Sequence, residues 1–287
     1  MFENNENKGI FIYVLTSTIS VAISLLFSIL MGLNEEVNFV GGVSVNHTYA
    51  PIVIVMTVCS SIAGVFILYR LLMRDNDVVL RFMIALIFTP TASLSVIILG
   101  ITILGALYKK YSATSLGIVL GIITLIAIYA GLFTSIFIIT DTLPDHIKNV
   151  IYVFYGSVLG FLLGYLMPTL IVIPLLITLS ICDLLVLSIP SYRHHIISGL
   201  HSSEHALRRV SVTTSFVNIG LGDIILYAMI PSHILSRLPK IISWILLIML
   251  VAGLLVNAYF LKKKQIIPGL IFTAFPIAIV FSIMISI

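Results

Sequence analysis

Residues 218–227 read NIGLGDIILY, and this stretch places an aspartate, Asp223, among isoleucine, leucine and tyrosine. Two glycines, Gly220 and Gly222, come shortly before it. A carboxylate in membrane hydrocarbon costs at least ~2.5–3.5 kcal/mol, so the meaning of this residue depends on where the stretch lies relative to a bilayer. The rest of the chain answers that question.

The composition of the whole chain places this stretch in a membrane protein. Of its 287 residues, 60% are hydrophobic and only 9% are charged, and the mean hydropathy is +1.21. A soluble domain carries about 25% charged residues. The apolar runs are long enough to cross about 30 Å of hydrocarbon as helices. The sequence therefore predicts an all-α, polytopic membrane protein.

Nine apolar runs are predicted to be transmembrane helices. They cover about 10–32, 50–72, 78–107, 115–139, 149–167, 169–190, 211–232, 240–261 and 266–287. The fifth and sixth come from one apolar block, 149–190, that is twice the length of a span. The letters MPT at 167–169, in the middle of that block, favour a tight hairpin between the two spans.

These spans are predicted to form one integral membrane domain, residues 1–287. Spans one to six lie in 1–190, a short polar connection in 191–210, and spans seven to nine in 211–287. Lys and Arg indicate the orientation, because cytoplasmic loops carry an excess of both. Alternate loops hold eleven and four of the fifteen, which predicts a cytoplasmic N-terminus and an external C-terminus. This bias explains the pI near 9.0 without a nucleic-acid partner.

Glycines at a spacing of four residues occur in two of the predicted spans. Span five contains Gly156, Gly160 and Gly164, and span four contains Gly117 and Gly121. Small residues at this spacing allow the backbones of membrane helices to approach one another closely. Both sets are therefore predicted to serve helix packing.

Only two of the eleven Asp and Glu residues fall deep inside predicted spans. Asp183 lies in span six, seven residues before Pro190, and Asp223 lies in span seven, seven residues after Phe216. At ~1.5 Å per helical residue, each carboxylate is roughly 10 Å below the same membrane face. Two antiparallel helices at these depths would present the carboxylates to each other.

The predicted proximity of Asp183 and Asp223 suits acid–base chemistry. Two carboxyl groups at hydrogen-bonding distance do not both ionise readily, so they share one proton and titrate as a unit. In aspartic proteases, one such carboxylate takes a proton from water while the other polarises the scissile carbonyl. The structural alternative is that each aspartate satisfies polar groups of a neighbouring helix on its own.

Three short motifs on these spans resemble a known family. GLGD at 220–223 matches the GxGD motif of the intramembrane aspartyl proteases, the presenilin and signal peptide peptidase superfamily, and IGLGDIILY around it resembles presenilins. CDLLVL at 182–187 is similar to the family's Tyr-Asp motif, and IPGL at 267–270 resembles its Pro-Ala-Leu motif. The order of the motifs is also that of the family.

The resemblance implies a presenilin-like fold with the N-terminus inside, and an endopeptidase that cuts the transmembrane helices of other proteins within the lipid bilayer. It makes Asp183 and Asp223 the catalytic residues. It assigns substrate contacts to the two other motif segments, namely Gly220, Leu221, Gly222, Pro268, Gly269 and Leu270. No metal ion or cofactor is implied, and homo-oligomer formation is left open.

The chain departs from the family pattern at two motif positions. Cys182 replaces the usual tyrosine before the first aspartate, and Gly269 replaces alanine in the proline motif. The connection at 191–210 also lacks the long loop in which animal presenilins are cleaved during maturation. The resemblance therefore points to a microbial, archaeal relative that works uncut in a cell membrane, or in an endomembrane if the source is eukaryotic.

Four other interpretations stay open. Paired acids at depth also serve proton relays, so a proton-coupled transporter is the main alternative. HSSEH at 201–205 fits the HxxEH pattern of certain zinc peptidases, although no further ligand is evident. Prepilin peptidases also use a GxGD aspartate, but they lack the terminal proline motif. The fourth is a catalytically silent scaffold.

Overall fold

The computed structural model is that of a nearly all-helical chain. It describes residues 2–33, 50–73, 77–107, 113–140, 142–188, 211–213, 218–263 and 269–286. Within these residues lie nine helices and one short two-stranded hairpin. The all-α class that the composition predicts is therefore confirmed.

The elements follow one another along the chain. The first six helices are α1 (Phe2–Leu33), α2 (Ala50–Met73), α3 (Asp77–Leu107), α4 (Ala113–Thr140), α5 (Asp145–Leu166) and α6 (Thr169–Ser188). Two strands come next, β1 (Ser211–Thr213) and β2 (Asn218–Gly220). The last three helices are α7 (Leu221–Arg237), α8 (Lys240–Lys263) and α9 (Ala274–Ser286).

Seven of the described helices, α1 to α6 and α8, are long and apolar enough to cross a membrane. Helices satisfy their backbone hydrogen bonds internally, which is what a chain in hydrocarbon requires. Large apolar side chains also cover the outer surface of the bundle; examples are Ile122, Leu125, Trp244 and Ile248. An exposed apolar surface of this extent fits lipid rather than water. The chain is therefore an integral membrane protein.

Helix α7 forms the centre of the bundle. Eleven of its seventeen residues are buried, and it contacts α1, α5, α8 and α9. Its contact with α5 is close because Gly160 and Gly164 lie against the backbone carbonyls of Ile225 and Met229, where a Cβ would collide. The predicted packing role of the span-five glycines is confirmed by this contact.

The glycines of α4 differ from those of α5. A Cβ on Gly117 or Gly121 would meet no described atom within 4 Å, and both residues are exposed. The prediction that these two glycines serve packing within the described fold is therefore wrong. Helix α4 packs on α3 through another face, at Gly131, where a Cβ would collide with the Ser93 hydroxyl. Spacing alone does not tell which face of a helix meets a neighbour.

The predicted break between spans five and six is confirmed as a two-residue connection between Leu166 at the end of α5 and Thr169 at the start of α6. Met167 is extended (φ −73°, ψ 137°) between α5 and α6, as expected for a residue before a proline, Pro168. The side chain of His233 in α7 forms hydrogen bonds with the end of α5 and with the start of α6 at this connection. Its Nδ1–H donates to the Gly164 carbonyl at 2.8 Å, and its Nε2 lies 3.2 Å from Thr169 Oγ1.

Two predicted helix starts are wrong. The sequence predicts helix from about 211 in span seven, but 211–213 and 218–220 pair as antiparallel strands and α7 begins at Leu221. It predicts helix from about 266 in span nine, but 269–273 form a turn and α9 begins at Ala274. Glycines and β-branched residues lie at or near both starts, which lowers the helix propensity of the chain there.

Helices α7 and α9 are consequently short. Their 17 and 13 residues correspond to about 25 and 20 Å of helix, less than the thickness of a hydrocarbon core. Irregular backbone at membrane depth is tolerated only where protein buries it or where it lines a water-filled cavity. Asp183 of α6 and Asp223 at the start of α7 both lie next to the turn that precedes α9.

Candidate active site

The two acidic residues lie on elements that converge at the turn before α9. Asp183 is five residues before the end of α6, and Asp223 is the third residue of α7. Both side chains are half-buried. Asp183 Oδ2 accepts a hydrogen bond of 3.3 Å from the backbone N–H of Leu270, and the backbone of Gly269 also faces this carboxyl group.

Gly269 lies between the two carboxyl groups. A Cβ on this residue would be 3.0 Å from Asp223 Oδ2 and 3.0 Å from Tyr227 Oη, so only a glycine leaves the full space. The carboxyl groups of Asp183 and Asp223 are close enough to act on each other electrostatically. The two aspartates therefore belong to one site, as their predicted depths indicate.

Of the GxGD residues, Gly220, Gly222 and Asp223 lie at the site, whereas Leu221 lies in the core. Gly222 is exposed, and a Cβ there would meet no described atom within 4 Å, so no described residue fills the position next to Asp223. Gly220 precedes α7 in an extended conformation, with its Cβ position 3.4 Å from Asp223 Oδ2. Leu221 is buried and packs near Gly156 of α5. Because its side chain is buried, Leu221 offers only its backbone groups for the predicted contact with a substrate.

The proline motif is described in part. Leu270 is buried, and it contributes its backbone N–H rather than its side chain to the acidic pair. Pro268 lies outside the described residues, as do the polar connection at 191–210 and its HSSEH sequence at 201–205. Among the residues that the structure describes, no group of three or more His, Cys, Asp or Glu side chains could hold a metal ion.

A polar cluster surrounds the carbonyl oxygen of Gly269. Asn257 Nδ2 donates to it at 2.5 Å, Thr273 Oγ1 at 2.9 Å and Tyr227 Oη at 3.0 Å. Tyr13 of α1 completes the cluster, because its Oη lies 3.0 Å from Tyr227 Oη and 3.3 Å from Asn257 Nδ2. Side chains from α7, α8 and the turn itself therefore bind one backbone oxygen, and α1 joins the cluster through Tyr13.

None of the four side chains in this cluster is among the site residues predicted from the sequence. Two of them could have been found from the sequence. Tyr227 is four residues after Asp223 and therefore on the same face of α7. Asn257 is a polar residue inside an apolar span. Tyr13 has no such signal. Its two partners are 214 and 244 positions away, and no local pattern relates residues at that separation.

The β1–β2 hairpin leads directly into the site. Its register pairs Ser211 with Gly220, three residues before Asp223. Val212 and Ile219 are buried, which anchors the hairpin in the protein. Within the described residues the sheet has two strands, so the edge of β2 that faces away from β1 is not covered by a described strand.

A scan of the chain against protein-family models and a search of curated proteins both find no match. The fold and the site themselves define the class: a helical, polytopic membrane protein with two interacting carboxyl groups beside an irregular turn.

Proposed function

We propose that this chain is an intramembrane aspartic endopeptidase of the presenilin superfamily, with Asp183 and Asp223 as its catalytic pair. The observation that carries the proposal is the meeting of both carboxyl groups at the Gly269–Leu270 turn. Ionisable residues within membrane spans are rare and normally mark functional sites. The three sequence motifs supply the rest of the support.

The proposed reaction is hydrolysis of a peptide bond by water. One carboxylate takes a proton from water as the water oxygen attacks the scissile carbonyl carbon, and the protonated carboxyl gives its proton to the carbonyl oxygen. The C–N bond of the resulting tetrahedral diol then breaks as the protonated carboxyl gives its proton to the nitrogen. The other carboxylate takes a proton from one diol hydroxyl as the carbonyl re-forms. The products are a carboxylic acid and an amine, and the pair is again singly protonated.

Two features of the site suit a substrate that arrives from the membrane. Asp183 is half-buried, and its neighbours Ile181, Leu184 and Leu185 on α6 are exposed apolar residues. Gly222, next to Asp223, is exposed and has no described atom within 4 Å of its Cβ position. A transmembrane helix of a substrate can therefore approach the pair along α6, in lipid, while water reaches the pair beside Gly222.

A helix hides its amides in hydrogen bonds, so the substrate must unwind before it is cut. An extended segment could then pair with an edge of the β1–β2 hairpin by strand addition. Because β2 ends at Gly220, a strand on that edge would run beside Asp223. The hairpin would thus hold the unwound backbone in place for attack.

The proposal includes the topology and the partners. We propose nine spans, with α7 and α9 as the seventh and the ninth, a cytoplasmic N-terminus and an external C-terminus. The substrates are then single-span proteins with an external N-terminus, cut in the cell membrane of a microbe or in an endomembrane.

The test is cleavage of a labelled transmembrane peptide by the purified protein in liposomes. We expect Asp183→Asn and Asp223→Asn each to lower kcat by about 100- to 10,000-fold, the usual contribution of a general acid or base. Asp145→Asn serves as a control, because Asp145 is an exposed carboxylate in the first turn of α5. Equal cleavage by all four proteins would reject the proposal.

A proton-coupled transporter is the second candidate, because two interacting carboxyl groups at depth can also relay protons. The same liposomes distinguish the two functions. A transporter would carry protons across the membrane in an Asp183-dependent manner without cutting the peptide, whereas a protease would cut it with no proton flux.

A further inference from the structure

One peptide group, the amide between Gly269 and Leu270, connects the acidic pair to the polar cluster. Its N–H donates to Asp183 Oδ2 at 3.3 Å. Its carbonyl oxygen accepts hydrogen bonds from Asn257, Thr273 and Tyr227 at 2.5, 2.9 and 3.0 Å. Because a peptide unit is planar and rigid, side chains that hold the carbonyl also fix the direction of the N–H.

The carbonyl has more donors than it needs. A carbonyl oxygen has two lone pairs, and Thr273 bonds to the carbonyl four residues before it, which is a common local arrangement. Asn257 and Tyr227 instead reach Gly269 from two other helices, α8 and α7, and both are almost completely buried. Satisfying the carbonyl alone does not require both side chains.

The protons of the cluster can be arranged in a closed ring. One N–H of Asn257 donates to the Gly269 carbonyl and the other to Tyr13 Oη. Tyr13 O–H then donates to Tyr227 Oη, and Tyr227 O–H donates to the Gly269 carbonyl. Each hydroxyl group donates once and accepts once, which is compatible with its single proton. The ring thus fixes the orientation of the Asn257 amide.

Building on the proposed protease, we infer that Asn257 and Tyr227 are positioning residues for peptide hydrolysis, acting through the Gly269–Leu270 amide on Asp183. Tyr13 orients both side chains. Donors on a carbonyl oxygen polarise the amide, which strengthens the hydrogen bond that its N–H makes. That bond sets how the Asp183 carboxyl faces Asp223 and the attacking water.

The inference is tested with Asn257→Leu and Tyr227→Phe, which remove the donors and keep most of the side-chain volume. Because a small misplacement of a catalytic group is costly, we expect kcat to fall by about 10- to 100-fold for the labelled transmembrane peptide. KM should stay within about twofold, since the interactions that bind the substrate are kept.

Ser232→Ala is the matched structural control. This buried hydroxyl on α7 donates to the Phe161 carbonyl at 2.9 Å, away from the acidic pair. Its loss should lower the unfolding temperature somewhat less than Tyr227→Phe does, because Ser232 loses one buried hydrogen bond whereas Tyr227 loses two, with Gly269 and with Tyr13. The kcat of Ser232→Ala should remain within about twofold of the original protein.

The outcomes separate this inference from the function on which it rests. If Asp183→Asn is inactive while Asn257→Leu and Tyr227→Phe cut as fast as Ser232→Ala, the positioning role is wrong and the protease stands. The positioning role would also be wrong if kcat falls only in proportion to the loss of folded protein. If Asp183→Asn stays active, the proposed function itself fails. If Asn257→Leu does not fold, the kcat of Tyr227→Phe, which loses a single oxygen atom, decides whether the positioning role is correct.

Discussion

At the residue scale, the central question is how an apolar bundle keeps two carboxyl groups. A charged side chain at the membrane centre costs ~2.5–3.5 kcal/mol or more unless polar partners or water compensate. Asp183 accepts a hydrogen bond from the Leu270 N–H, and Asp223 lies next to Gly222, which is exposed and has no described atom within 4 Å of its Cβ position. Each carboxyl also has the other as a neighbour. The backbone near the two aspartates therefore supplies a hydrogen-bond donor for Asp183 and a residue without a side chain, Gly222, next to Asp223.

Gly222→Ala tests whether the substrate approaches Asp223 beside Gly222. We expect the free energy of unfolding to stay the same or to rise by up to ~1 kcal/mol, because alanine favours a helix over glycine and nothing described blocks a Cβ here. KM for the transmembrane peptide should rise, because a methyl group would occupy the approach to Asp223. Steady-state kinetics and thermal unfolding measure both quantities. An unchanged KM would mean that the substrate approaches elsewhere.

At the element scale, the contact between α5 and α7 determines where Asp223 lies. Gly160 and Gly164 let α5 approach the α7 backbone so closely that no Cβ fits between them. Two serines of α1 also bind α7, because Ser20 and Ser24 donate to the carbonyls of Ile224 and Ala228 at 2.9 and 2.5 Å. The start of α7, which carries Asp223, is thus held by two neighbouring helices.

Gly160→Ala should destabilise the protein by about 1–3 kcal/mol, the usual cost of inserting a methyl group into a close-packed contact. The added Cβ would collide with the Ile225 carbonyl, so α7 would have to shift and cleavage should slow as well. Gly121→Ala is the matched control, because that glycine is exposed on α4. Unfolding temperatures in detergent give the comparison, and equal values for the two variants would contradict the packing role.

At the scale of the whole molecule, the chain surrounds a small polar site with apolar helices. The outer faces of α2, α4 and α8 carry large exposed apolar side chains, which fit lipid. The polar residues of the site come from α1, α6, α7, α8 and the turn before α9. No single pair of these elements contains the whole site, so it exists only when the bundle is assembled.

The proposed orientation can be tested with reporters fused to the two chain ends. A reporter active only outside the cytoplasm should work after residue 287 and fail at residue 1, because the Lys and Arg bias predicts an external C-terminus. A fusion after Lys263, at the end of α8, should also fail. Activity at both chain ends would show an even number of spans and refute the nine-span topology.

The sequence by itself determined the membrane class, the positions of α1 to α6 and α8, and the residues of the acidic pair. Helix formation in hydrocarbon depends mainly on length and apolar content, which are local properties that can be read directly. An aspartate inside such a run stands out for the same reason, and equal depth in consecutive spans related Asp183 to Asp223. These inferences needed no knowledge of which helices touch.

Only the tertiary structure decided which helix faces meet and where the backbone leaves the helix. The same glycine spacing makes a contact in α5 and none among the described neighbours of α4. The strands before α7 and the turn before α9 replace helix at the site. Tyr13 joins Tyr227 and Asn257, which are 214 and 244 positions away in the chain. Side-chain partners across a bundle depend on contacts between distant segments, which no local pattern encodes.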